Sequence, residues 1–268
     1  VNVGVLNVGA SAAARTAAAG LAQRLCLPLL AVDDGSCDLL LAVTDRRVEL
    51  RETASSGRGA LYVDWVHRRA ASRPAAGGSR GQPLARAIGL RRGKPTVVDA
   101  TAGLGGDTLL LAGWGCTVTA VERCGVVHAL LRDGIMRARA EGPPALGRAV
   151  ERVSLLHADA RVLLTQLDEA TRPDLVYLDP MYPPRRKATA LAKKHMRILR
   201  TLVGDDPDAG ELLDIARRVA RHRVVVKRLC LAPPLADNPV ARHCGKIARY
   251  DVYLPHEKSG LASSPPAQ

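Results

Sequence analysis

Between residues 96 and 107 the chain reads Thr96-Val-Val-Asp99-Ala-Thr-Ala-Gly103-Leu-Gly105-Gly106-Asp107, an apolar run that ends in a carboxylate and opens into a glycine turn. A residue without a Cβ permits a tight turn and a close approach of backbone to a ligand, so Gly103 and Gly105 predict a strand-turn-helix unit with a binding loop at its bend. The alternation continues downstream. Residues 97–98, 117–121, 153–156, 175–178, 223–227 and 250–254 are strand-like, and 126–136 and 210–219 carry helical periodicity. This pattern predicts an α/β fold built on a doubly wound, Rossmann-like parallel sheet with ligands at the carboxyl ends of its strands.

Upstream, short β-like runs at 3–6, 39–43 and 61–65 flank an Ala-rich helical stretch, predicting a small α+β N-terminal domain over 1–75. Pro, Gly and Ser at 73–80 mark a connection, a short helix follows at 84–90, and the main domain is expected over 76–257. Residues 258–268, rich in Ser and Pro, are expected to be a disordered tail. A chain of 268 residues with 47% hydrophobic content can bury one large core with a small appendage.

Lys and Arg exceed Asp and Glu by 39 to 26, a net charge of +13 that favours a polyanionic partner such as RNA or DNA. Biased codon usage, visible in the Ala- and Arg-rich composition without Phe, competes as an explanation of that excess. No apolar run approaches the ~20 residues that span a bilayer, and no secretory signal is evident, so a cytoplasmic location is expected. The six cysteines lack Cys-x-x-Cys or zinc-like spacing, and no metal site is expected.

A dinucleotide fingerprint would require a third glycine where Thr108 stands. Asp99, closing the first strand, fits S-adenosylmethionine instead, whose amino-acid ammonium needs a nearby anion. Glu122 follows the second strand run seventeen residues beyond Gly105, a spacing suited to a carboxylate that accepts two ribose hydroxyl hydrogens. Asp159, after the third run, can accept from an adenine amino group, and Ala160 leaves room beside the ring. His157 is read as structural.

The run at 175–178 ends in Asp179-Pro180-Met181-Tyr182. An exocyclic amino group on a nucleobase is a poor nucleophile, because its lone pair is delocalised into the ring. Asp179 and the Pro180 carbonyl can accept its two hydrogens while Tyr182 stacks on the base, which aims the nitrogen at a methyl donor. Arg185, Arg186, Lys187, Lys193, Lys194, Arg197 and Arg200 follow with no acid before Gly204, a segment able to neutralise backbone phosphates. Arg223, Lys227 and Arg228 extend the same expected surface.

On these residues the chain resembles the bacterial small-subunit ribosomal RNA methyltransferase J family of guanine-N2 methyltransferases. The likeness runs through Val97-Val-Asp-Ala-Thr-Ala-Gly-Leu-Gly105, Val121-Glu-Arg123, Tyr177-Leu-Asp-Pro-Met-Tyr-Pro183, Lys193-Lys-His-Met-Arg197, Leu202-Val-Gly204 and Arg223-Val-Val-Val-Lys-Arg228. It implies a class I methyltransferase domain acting on guanosine 1516 of 16S rRNA, on free RNA or on the small ribosomal subunit. The implied cofactor contacts fall on Gly106, Asp107, Glu122, Arg123, Asp159, Ala160 and Asp179. Gly106 stands where the family often has Arg, and Asp159-Ala160 replaces a Ser-Ser pair. Two alternatives stay open at this point: amino methylation of another RNA or of DNA, and a non-catalytic RNA-binding assembly protein that has kept the fold.

Overall fold

The computed structural model describes residues 1–53, 59–67, 81–181 and 190–256, with backbone alone from 190 to 196. The N-terminal part comprises β1 (Val3–Asn7), α1 (Ala12–Leu25), β2 (Leu29–Leu30), β3 (Leu39–Val43) and β4 (Val48–Glu52). They form a four-stranded sheet in the order β2-β1-β3-β4. The Ser11 hydroxyl caps α1 by accepting from the Ala14 N–H at 3.1 Å, and Cys26 ends the helix in the left-handed region at φ 53°. Its buried stripe of Ala14, Ala18 and Leu21 shares one apolar cluster with Val3, Val5, Leu39 and Leu41 of the sheet.

Two details differ from the sequence expectation. β4 was not anticipated, because its run carries a carboxylate that periodicity reads as solvent-facing. Glu49 is buried all the same, held by Arg47 at 2.7 Å and Arg51 at 2.6 Å. Residues 61–65 form no strand beyond a single bridge from Leu61 to Leu50. Val63 and Trp65 are buried as expected of a strand, but the carbonyl of Val63 accepts from Arg137 of the main domain instead of joining a ladder.

After α2 (Pro83–Ala87) come β5 (Thr96–Asp99), α3 (Gly106–Gly113), β6 (Thr117–Glu122), α4 (Gly125–Glu141), α5 (Pro144–Val150), β7 (Val153–His157), α6 (Ala160–Thr165) and β8 (Leu175–Leu178). The chain continues through α7 (Ala190–Val203), α8 (Ala209–Val219), β9 (Arg223–Leu229), β10 (Ala241–Cys244) and β11 (Ala248–Tyr253). The seven strands are ordered β10-β11-β9-β8-β5-β6-β7. β9, β8, β5, β6 and β7 run parallel, and their central members are apolar on both faces; all four residues of β8 are buried. One face joins α3 and α4 in a cluster that also takes in Leu41, Leu50 and Trp65 of the N-terminal part. The opposite face packs on α6 and α8 through Leu164, Leu213 and Ala216.

The sheet is not parallel throughout, as the sequence had suggested. β11 is antiparallel to β9 and to β10, because a short turn joins β10 to β11 and a hairpin reverses direction. The position of the site follows from the parallel part. From β5 the chain winds one way through β6 and β7, then crosses back to β8 on the other side, which leaves a crevice at the carboxyl ends of β5 and β8. The expected boundary at 75 and the expected tail at 258–268 both lie outside the described residues. Among the described residues no helix is long and apolar enough to cross a membrane.

Candidate active site

A cleft of about 300 Å³ occupies that crevice, lined by Asp99, Gly103, Gly106, Glu122, Asp159 and Asp179 among others. Its volume is at the lower end of small-molecule sites. Asp99 ends β5 fully buried, and its Oδ2 accepts from the Thr108 hydroxyl at 2.5 Å. Burial pushes its carboxyl up to about 7. Glu122 ends β6 and accepts the backbone N–H groups of Gly103 at 2.9 Å and Cys124 at 2.7 Å, one on each oxygen. Burial raises its pKa against the pull of those two amides. Each oxygen keeps a further lone pair that can face a ligand hydroxyl.

The two turn glycines have separate reasons. Gly103, at φ 54°, lines the cleft, and a Cβ there would meet nothing closer than the Thr101 carbonyl at 4.0 Å. Gly105, at φ 70°, does not line the cleft: a Cβ would lie 2.5 Å from both Leu131 Cδ1 and Trp65 Cζ2. Core packing under Trp65 thus gives Gly105 a reason of its own to lack a Cβ, apart from any approach of backbone to a ligand. Gly106 and Asp107 begin α3, whose N-terminus carries no side-chain cap. Its free amide hydrogens are available to an anion in the cleft.

Past the end of β8, Lys227 donates to Asp107 Oδ2 at 2.7 Å and to Asp179 Oδ2 at 2.8 Å. The buried Tyr177 hydroxyl donates to Asp107 Oδ2 at 2.6 Å. Asp179 lies deep among protein atoms, yet its side chain keeps 38% exposure through the cleft. Burial raises its pKa while Lys227 pulls it down, and Lys227 itself is pushed upward by the two carboxylates despite its own burial. The Asp179 N–H donates to the Thr101 hydroxyl at 2.6 Å, tying the end of β8 to the β5 loop. Pro180 and Met181 complete this wall.

A charged network closes the third side. Arg123 pairs with Asp206 and with Asp208 Oδ2 at 2.8 Å. Asp206 Oδ2 also accepts the Met181 N–H at 2.6 Å. Arg161 meets Asp159 at 2.7 Å, Asp208 at 3.2 Å and Glu211 at 2.8 Å. Asp159, the N-cap of α6, thus reaches the cleft with both oxygens already engaged by Arg161, which holds its pKa low, while Ala160 beside it is buried. His157 leans on the His128 ring at 5.1 Å, with Nε2 3.2 Å from the Arg123 carbonyl oxygen, a structural placement.

Tyr177, Asp206 and Asp208 were not singled out from the sequence. Lys227 had been assigned to a basic outer surface, but its ammonium turns inward between two carboxylates. Arg228 and Arg223 likewise hold the carbonyls of Pro233 and Ala87. Arg197 pairs with Glu52 at 3.0 Å while staying 65% exposed. Tyr182, Arg185, Arg186 and Lys187 lie outside the described residues, as do the side chains of Lys193 and Lys194 on α7. Among the described residues no three His, Cys, Asp or Glu side chains are grouped to hold a metal ion.

The buried carboxylate, the ribose-type carboxylate and the uncapped helix end suit S-adenosylmethionine, which carries an ammonium, a diol and a carboxylate. Comparison with known proteins agrees. The profile of the SAM-dependent methyltransferase family matches residues 21–255. The ribosomal RNA small subunit methyltransferase J of Thioalkalivibrio sulfidiphilus is 47% identical over 242 residues, covering 90% of this chain and 93% of the relative. That of Serratia proteamaculans is 46% identical, with 88% and 92% covered. The crystal structure of a SAM-dependent methyltransferase from Neisseria gonorrhoeae superposes with a TM-score of 0.73 at 33% identity, over 96% of this chain and 97% of that one.

Proposed function

The chain belongs to the ribosomal RNA small subunit methyltransferase J family of S-adenosylmethionine-dependent enzymes, and from that membership we propose that it methylates the exocyclic N2 amino group of guanosine 1516 in 16S rRNA, on the small ribosomal subunit. The observation that carries this reading is the placement of Asp179. It directly follows β8, across the switch crevice from Asp99 and Glu122, so one cleft has carboxylates for a donor at one side and an acceptor-rich turn at the other.

In this reading Asp99 faces the donor ammonium, the Gly106 and Asp107 amides face its carboxylate, and Glu122 takes the ribose hydroxyls. Arg123, Asp159 and Ala160 border the adenine. Gly103 gives backbone access, and Gly105 acts indirectly by seating the turn on Trp65. When bound, S-adenosylmethionine supplies an electrophilic sulfonium methyl.

The chain's own residues orient the nucleophile. Asp179 and the Pro180 carbonyl accept the amino hydrogens, which returns electron density to N2, and Tyr182 stacks on the base. Lys227 fixes Asp179 through Oδ2, and no described residue partners Oδ1. The raised pKa of Asp179 suits it to take the amino proton as the new bond forms. Arg185, Arg186, Lys187, Lys193, Lys194 and Arg197 contact phosphates of the incoming RNA, contacts that confer affinity and salt dependence without sequence choice.

The test is transfer of labelled methyl from S-adenosylmethionine to small ribosomal subunits lacking the modification, to protein-free 16S rRNA and to DNA. Label recovered as N2-methylguanosine from ribosomal substrate supports the proposal. Label in DNA or in another nucleoside contradicts it.

A further inference from the structure

Two turns stand beyond Lys227 at the catalytic end of the sheet. The first, closed by the Ala232 N–H donating to the Leu229 carbonyl at 3.0 Å, carries Leu231 at 90% exposure. The second joins β10 to β11 and carries Ile247 at 73% exposure. The Cys230 N–H donates to the Ile247 carbonyl at 3.4 Å, and the Cys230 thiol to the Gly245 carbonyl at 3.4 Å, so the two turns are fastened to each other.

Beneath them Arg249, itself buried, donates to the carbonyls of Leu229 at 3.2 Å and Cys230 at 2.7 Å. It pairs through Nε and Nη2 with the two oxygens of Asp251, at 2.9 Å and 3.0 Å, and Asp251 is wholly buried. Desolvating such a pair costs about as much as its attraction returns, so its consequence here is rigidity. A lone exposed aliphatic residue is ordinary. Two on linked turns, held by a buried ion pair, make a rigid apolar prominence.

Its setting indicates the occupant. Leu231 follows Lys227 by four residues, at most about 14 Å of extended chain, within reach of a nucleotide adjoining one held at Asp179. The two turns hold the exposed Lys246 and no acid, in a chain of net charge +13, which suits an RNA partner better than a protein surface. A base presented to Asp179 must leave its stack, and rigid apolar side chains are a known means of holding a stack open.

We propose that Leu231 and Ile247 act as an apolar wedge that enters the RNA base stack beside the target guanosine and keeps that guanosine turned into the cleft. This rests on the reading of the cleft as an RNA-methylating site. The test compares wild type with the Leu231→Ser, Ile247→Ser double variant, whose substitutions fall on exposed positions and spare the fold. The first substrate is unmodified small subunits. The second is a stem-loop RNA holding 2-aminopurine next to the target guanosine.

Wild type should raise the 2-aminopurine fluorescence on binding, as the base unstacks. The double variant should bind S-adenosylmethionine with unchanged affinity, leave the fluorescence low, and transfer methyl about tenfold or more slowly. The Leu231→Met, Ile247→Met variant, which stays apolar, should restore both signals. Equal fluorescence and transfer for wild type and the Ser variant would overturn the wedge. So would a loss confined to assembled subunits with full transfer to protein-free RNA, which would assign the two residues to a ribosomal protein contact. Absence of transfer by wild type on every RNA would remove the underlying reading, a failure distinct from either.

Discussion

The carboxylate of Asp206 accepts the backbone N–H of Met181 at 2.6 Å, in the turn that follows Asp179. The same carboxylate pairs with Arg123, the residue next to Glu122, so a single side chain links the turn after β8 to the end of β6 across the cleft. A buried amide left without a partner costs about 1–3 kcal/mol. Asp206→Ala should therefore lower kcat about tenfold or more by loosening the turn, whereas Asp206→Asn, which can still accept from Met181, should recover most of the loss. Steady-state kinetics of both variants provides the check; equal loss in both would assign the effect to Arg123 instead.

Lys227 holds down a carboxylate that burial pushes up. Removing the ammonium in Lys227→Met leaves Asp107 and Asp179 as neighbouring acids without their shared cation, so the Asp179 pKa should rise further. With the ionised form of Asp179 as the proposed acceptor of the amino hydrogens, the acid limb of the kcat profile should move toward higher pH by about one unit or more. An unmoved limb would show that Asp179 does not titrate in the rate-limiting step.

Asp99 holds its proton up to about pH 7 in the folded chain, against an ordinary value of 3.8. The folded state then binds more protons than the unfolded state between those values. Asp99 therefore contributes a stability that is lost as pH rises from about 4 to about 7 and is level above. Asp99→Asn, which can still accept from Thr108, should flatten that part of the stability curve, as urea titrations at about pH 5 and about pH 8 would register. With the Asp99 carboxylate as the proposed partner of the donor ammonium, wild-type affinity should increase over the same range with release of a proton, detectable by calorimetry in buffers of different ionisation enthalpy.

Gly103→Ala and Gly105→Ala should fail differently. Both place a Cβ at positive φ, a cost of about 1–2 kcal/mol. At Gly105 the new Cβ also collides with Trp65 and Leu131, adding about 1–3 kcal/mol of overpacking and a marked fall in Tm. At Gly103 the space is open to the cleft, so Tm should fall less and donor affinity more. Thermal melts and calorimetry on the pair separate the two roles.

Local pattern carried the parts of this molecule that local chemistry makes. The β5 run, its glycine turn and the acids closing β5, β6 and β8 were legible because each strand is short, apolar and ended by a charge. Strand direction was not legible, since a period of two is the same either way, and β11 proved antiparallel. β10 was missed because Ala241-Arg-His-Cys244 is a half-exposed edge with little apolar signal. Lys227 was placed outside because its partners Asp107 and Asp179 lie 120 and 48 residues away, beyond any local pattern. Asp206 escaped for the same reason: its two contacts, Met181 and Arg123, are 25 and 83 residues distant.

The proposed chemistry is methylation of a guanine amino nitrogen of 16S rRNA in this cleft, with Asp179 orienting the nucleophile. Its most direct test is mass spectrometry of unmodified small subunits after incubation with S-adenosylmethionine and either wild type or Asp179→Asn, with donor binding of both confirmed by calorimetry. N2-methylguanosine is expected at position 1516 with wild type and not with the variant, although both bind the donor. Modification at another nucleoside, or equal modification by the variant, would contradict it.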